Sequence, residues 1–123
     1  MSVVRSDLIA PVDRQLNAYN ARDLDAFIHC YTVDCAIDDA GGTRLMTGHI
    51  EMRTRYRALF DGSPNLHCDI VHRTCIGNHV IDVESITGRL PGIHPELRRA
   101  VVIYHVDADA GLISHVRMLR ESD

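Results

Sequence analysis

Asp39 is the first side chain of this sequence that could do chemistry. In Cys35-Ala36-Ile37-Asp38-Asp39, strand alternation puts Asp39 on the same face as Cys35 and Ile37. A carboxylate there is partly desolvated, which raises its pKa toward that of a useful general base. The same residues allow a second reading, because Asp38-Asp39 ahead of Gly41-Gly42 is also the composition of a turn. Arg44 and Arg120 are the cations that could approach Asp39 and oppose the upward shift. Asp82 and Glu84 share one face of a later strand, and the default for two such acids is the solvent face. Turned inward, Glu84 would form an acid/base pair with Asp39, the two held at different pKa values by environment. His67 and Asp69 also share a face. Either the carboxylate orients the imidazole for proton transfer, or both lie on wet surface. Gln15 and Tyr19, one helical turn apart, offer hydrogen-bond donors to a ligand or to helix neighbours.

Other chemistries find less support. Eight histidines and four cysteines invite a metal, but His72 and Cys75 fall on opposite strand faces and His67 with Asp69 lacks a third ligand. No metal site is expected. Cys30, Cys35, Cys68 and Cys75 sit among apolar residues and read as reduced thiols. The acid beside Cys35 opposes nucleophilic attack by its thiol. No glycine-rich phosphate loop occurs, so no cofactor is expected. All 13 basic residues are arginine, set against 17 acids for a net charge of −4, which argues against nucleic-acid binding. No apolar run is long enough for a bilayer and the first residues lack a signal-peptide core, so a soluble, cytoplasmic protein is expected.

The elements that must position these groups are legible as periodicities. Leu8, Val12, Leu16 and Tyr19 form one helical stripe, with Pro11 setting the regular start near Ala10. Gln15 lies on that stripe, as a boundary position or facing an internal cavity. Asp23 caps a second helix, with Leu24, Phe27, Ile28 and Tyr31 on its stripe and its end near Thr32. A strand at 35–39, a short strand at 43–46 and a third helix from about His49 to Phe60 follow. Strands at 66–76 and 79–90 meet at Gly77-Asn78, and strands at 97–106 and 112–120 complete a meander. Pro91, Gly92 and Pro95 mark the connection within it. Helices then strands predict one α+β domain over residues 1–123, with three helices on one face of a curved antiparallel sheet.

This order, with Asn20-Ala21-Arg22-Asp23-Leu24-Asp25 between two helices and Tyr104 leading to Gly111-Leu112-Ile113, resembles the nuclear transport factor 2-like superfamily. The resemblance is nearest to its SnoaL-like and ketosteroid-isomerase-like branch. It implies a cone-shaped fold enclosing a mostly apolar pocket, commonly dimeric. It puts the proton-moving carboxylate of the isomerases on Asp39, their oxyanion tyrosine on Gln15 and their protonated acid on Val102 or Ile103. It puts Tyr31, Tyr56 and Phe60 on the pocket wall, and turns Glu84 and His67 inward; Val116 joins the wall from the last strand. With both oxyanion donors replaced, the resemblance does not extend to ketosteroid isomerisation itself. The expectation is a cofactor-independent enzyme of isomerase, dehydratase or hydrolase type acting on a small, mostly apolar molecule. Asp39, Glu84 and His67 would be catalytic, and Gln15, Tyr19, Tyr31, Tyr56, Phe60 and Val116 would bind the substrate. The alternative is a non-catalytic ligand-binding or homodimeric interaction domain. Apolar residues on both faces of the last strands (Val102, Tyr104 and Val116 against Val101, Ile103, Ile113 and Leu119) favour a homodimer in either case.

Overall fold

Leu8 and Val12 are both fully buried, and they hold the first helix together on either side of Pro11. In the computed structural model, which describes residues 6–89 and 98–120, α1 spans Ser6–Ala21 and so starts earlier than Pro11 suggests. Burial of Leu8 on the extra turn contributes about 2 kcal/mol, offsetting much of what the missing proline N–H costs. Asp23 caps α2 (Leu24–Ile28), its carboxylate accepting from the Ala26 amide at 3.2 Å. This helix is shorter than expected. His29 closes it by directing both its amide and its ring Nδ1 at the Asp25 carbonyl. Tyr31, Thr32 and Val33, which favour extended backbone, then open β1 (Tyr31–Asp39). Tyr31 therefore starts a strand instead of ending a helix.

After β2 (Arg44–Thr47) and α3 (Gly48–Gly62) come β3 (His67–Ile76), β4 (His79–Thr87), β5 (Arg98–Asp107) and β6 (Leu112–Arg120). Leu90, Pro91, Gly92 and Pro95 lie outside the described residues. The six strands form one open sheet in the order β2-β1-β6-β5-β4-β3. β3 to β6 are antiparallel neighbours as expected. The sheet as a whole is mixed, which corrects the wholly antiparallel expectation: β1 lies parallel to β6. The architecture is α+β with three helices.

Val80, Val102, Tyr104, Val106 and Val116 point from the sheet into a core shared with Leu8, Val12, Phe27, Ile28 and Met52. Ile113, expected on the outer face, is fully buried there too. A register shift between His105 and Val106 reverses the parity of β6 at that point. Gly88, just past β4, has φ +75° and its missing Cβ would stand 2.1 Å from the Asn65 carbonyl oxygen, so only glycine fits this crossing. Among the described residues no helix is long and apolar enough to cross a membrane.

Candidate active site

Alternation along β4 turns Val80, Asp82 and Glu84 inward and leaves Ile81 and Val83 facing out. The two acids therefore leave the solvent face that was their default, and they meet different surroundings. Arg73, opposite Asp82 in the β3–β4 register, holds it with Nε on Oδ1 at 2.6 Å and Nη2 on Oδ2 at 2.9 Å. The same guanidinium donates to Asp13 of α1 at 2.6 Å. The buried Asp82 charge is thus compensated.

Glu84 makes no ion pair among the described residues. Its Oε2 accepts from the Tyr104 hydroxyl at 3.1 Å, and the Cys68 thiol also bonds to the carboxylate. Burial pushes the Glu84 carboxyl up, the nearby Asp82 charge adds to this, and the hydrogen bonds and Arg73 oppose it, leaving it at about 7. Burial and the Glu84 charge together raise the Cys68 thiol, so it remains a protonated donor.

A hydrogen-bonded row extends from Glu84 across the core. Tyr31 donates to Gln15 Oε1 at 3.2 Å, Gln15 Nε2 donates to the Tyr104 hydroxyl at 3.1 Å, and Tyr104 donates to Glu84. Every member is buried. Burial, foremost, raises both phenols well above their ordinary range, so each remains a neutral donor. The row borders a cavity of about 120 Å³. Leu45, Leu59, Ile86 and Met118 form its apolar wall, and Arg55, Arg89 and Arg120 also line it.

Gln15, Tyr19, Tyr31, Tyr56, Glu84 and Val116 all line this cavity. Phe60 does not. It stands behind the wall, edge-on to Tyr19 at 5.5 Å and to Phe27 at 5.6 Å, and buttresses both rings. Asp39 is also absent from the lining: its Oδ1 accepts from the Gly41 and Thr43 amides, each at 2.9 Å. This is the turn reading of Asp38-Asp39. The alternation of β1 is unbroken here, Asp39 pairing with Met118 of β6, but at the end of the strand its carboxylate is captured by the turn amides and does not reach the cavity. Asp38 is the buried one of the pair, held by Arg44 Nε at 2.6 Å and His115 Nε2 at 2.8 Å. His67 is exposed, with Nε2 2.9 Å from Asp69 Oδ1. Cys68 takes the inward position between them, so His67 and Asp69 face water.

Of Val102 and Ile103, the two positions matched above to the protonated acid of the isomerases, Val102 is register-paired with Asp82 and Ile103 with Ile81. A raised carboxyl is present at Glu84 of the neighbouring strand. Tyr104 and Cys68 were missed as contributors to the site. The usable signal was Tyr104 between the inward Val102 and Val106, since a buried tyrosine hydroxyl needs a partner. The three cavity arginines were missed as a group, because they come from three separate elements. Among the described residues no cluster of three metal-ligating side chains occurs.

A family model described as a SnoaL-like domain matches residues 12–116. None of the curated proteins compared with the chain matches it. Among solved structures, an uncharacterized cystatin-fold protein of Novosphingobium aromaticivorans superposes with TM-score 0.81 at 24% identity, covering 95% of this chain and all (100%) of that one. A SnoaL-like protein of unknown function from Burkholderia thailandensis gives TM-score 0.76 at 16% identity, over 98% of this chain and 100% of that one. A protein of Catenulispora acidiphila with a ketosteroid isomerase-like fold, solved in complex with trimethylamine, gives TM-score 0.73 at 17% identity, over 89% and 83% of the two chains.

Proposed function

Because the chain belongs to the SnoaL-like domain family, we propose that its cavity carries out acid–base chemistry on a small, mostly apolar molecule, with Glu84 moving the proton. The observation that carries this reading is a buried carboxyl with a pKa of about 7 on the cavity wall. Near neutral pH such a group is populated in both forms, so it can take a proton and return it. Tyr104 and Gln15 fix its orientation, and Tyr19, Tyr31, Tyr56 and Val116 shape the bound molecule. Isomerisation, dehydration and hydrolysis each use such a group. Asp39, bound into its turn, is not the base in this reading, and His67, outside the cavity, is not its partner.

A second reading, ligand binding without turnover, is favoured by one observation. The Glu84 carboxylate is already engaged by Tyr104 and Cys68. The trimethylamine complex supports small-molecule binding as a use of this fold. Four free cysteines suit a reducing compartment such as the cytoplasm. Outward apolar pairs, Ile81 with Ile103 and Val101 with both Val83 and Leu119, suit pairing with a second copy of the chain.

Deuterium exchange at the α-carbon of small aryl ketones, followed by NMR in D2O, separates the two readings. Under the enzymatic one, the wild-type protein accelerates exchange and Glu84→Gln loses roughly 10²–10⁴ of that acceleration. If Glu84→Gln exchanges as fast as wild type while both still bind the ketone, the catalytic assignment fails and the binding reading stands.

A further inference from the structure

Three guanidinium groups gather at one end of the cavity: Arg55 from α3, Arg89 just after β4 and Arg120 at the end of β6. Arg55 and Arg120 are exposed, whereas Gln15, Tyr31, Tyr104 and Glu84 are buried. The arginines therefore mark the mouth and the hydrogen-bonded row marks the floor. Among the described residues Glu84 is the single acid in the lining.

Elsewhere on the molecule arginines meet carboxylates: Arg44 with Asp38, Arg53 with Asp25, and Arg73 with Asp13 and Asp82. Among the described residues, Arg55, Arg89 and Arg120 are in no ion pair. Their mutual repulsion is felt, since burial first and then Arg89 and Arg55 lower the Arg120 pKa. The chain as a whole is acidic, at −4, so a positive mouth is a local arrangement and not a general property of its surface. Like charges gathered at an aperture in a low-dielectric wall attract a counter-charge. A guanidinium fork suits a carboxylate.

We infer that the cavity takes an organic anion, an apolar body of about one ring bearing a terminal carboxylate that Arg55, Arg89 and Arg120 hold at the mouth. The size follows from the cavity of about 120 Å³, as an apolar cavity of about 150 Å³ holds benzene. The body lies against Leu59, Ile86 and Met118, and its far end meets Glu84 and Tyr104. The reacting position is therefore remote from the carboxylate. The inference rests on the cavity being a ligand site, as proposed above, and adds the class of ligand.

Calorimetric titration with phenylacetate and 3-phenylpropionate, each beside its neutral amide, tests it. The acids are expected to bind at least about tenfold more tightly than the amides. That advantage shrinks as salt is added. It disappears in the Arg55→Gln/Arg89→Gln/Arg120→Gln variant, whose unchanged amide affinity reports an intact cavity. Should the triple variant lose amide binding as well, Arg55→Gln and Arg120→Gln, both at exposed positions, decide by whether each narrows the difference between acid and amide. Acids and amides binding equally to the wild type overturn the anion inference and leave the cavity reading in place. Binding of neither overturns both.

Discussion

Glu84 loses water without gaining a cation, and its two hydrogen bonds recover only part of the difference. A carboxyl raised in the folded state favours the neutral form there, so the folded chain holds the proton to higher pH than the unfolded chain does. Stability from this group is complete below its ordinary pKa of 4.5 and is lost as pH rises through about 7. Glu84→Gln keeps the shape and removes the titration. In denaturant melts at several pH values, the variant should gain on wild type between pH 5 and 8, by up to about 3 kcal/mol. A constant difference across that range would show that Glu84 is not raised. The residues alone leave Asp39 between pocket and turn, the family resemblance sets it ahead of Glu84, and two physical features keep the difference out of the sequence. At Asp39 strand parity holds, but the carboxylate is captured by the Gly41 and Thr43 amides of the turn that follows. On β4, Ile81 and Val83 are as apolar as the inward Val80, so composition does not tell its two faces apart. By contrast Gln15, a polar residue on an apolar helical stripe, reads as either a boundary position or a cavity-facing group, and it lines the cavity.

Arg73 ties three elements through one guanidinium, joining β3 to Asp82 of β4 and to Asp13 of α1. Asp82 is fully buried, so removing its partner strands a charge in the core. Arg73→Ala should cost about 3–5 kcal/mol in chemical denaturation, and adding Asp82→Asn should recover part of it. Removing Arg73 also takes away a cation that lowers the Glu84 pKa, so carbon-detected NMR should find Glu84 titrating above about 7 in the single variant. Asn20 adds a second clamp: its amide nitrogen donates to the Cys68 carbonyl at 3.0 Å and its amide oxygen accepts from the Cys68 N–H at 2.8 Å. The segment Asn20-Ala21-Arg22-Asp23, which carried the family resemblance, thus binds the end of α1 to edge strand β3. The meander was legible to within a few residues because β-branched runs and the Gly77-Asn78 turn are local signals. The start of β1 was not, because Tyr31 and Thr32 satisfy a helical stripe as well as a strand, and the choice is made by pairing with Ile113 on a distant strand.

The sheet covers the helices with one face only and leaves Ile81, Val83, Val101, Ile103 and Leu119 on the other. A second copy laid on this face would bury them, so light scattering at micromolar concentration should give a dimer, and Val101→Arg a monomer with an unchanged circular dichroism spectrum. A wild-type monomer would count against that assembly. The parallel pairing of β1 with β6 bears on how quickly this molecule finds its shape. Asp38 and His115, neighbours across that pair, are 77 residues apart along the chain. Bringing such distant segments together costs chain entropy before any contact repays it, so topology of this kind slows folding. The hairpin of β3 and β4, closed by a two-residue turn, carries no such burden. Val80→Ala in that hairpin should therefore mainly slow refolding, whereas Ile37→Val on β1 should leave refolding nearly unchanged and hasten unfolding, as stopped-flow chevrons would record. On this expectation β1 docks on β6 after the hairpin has formed, and only then is the Tyr31 end of the polar row held in place.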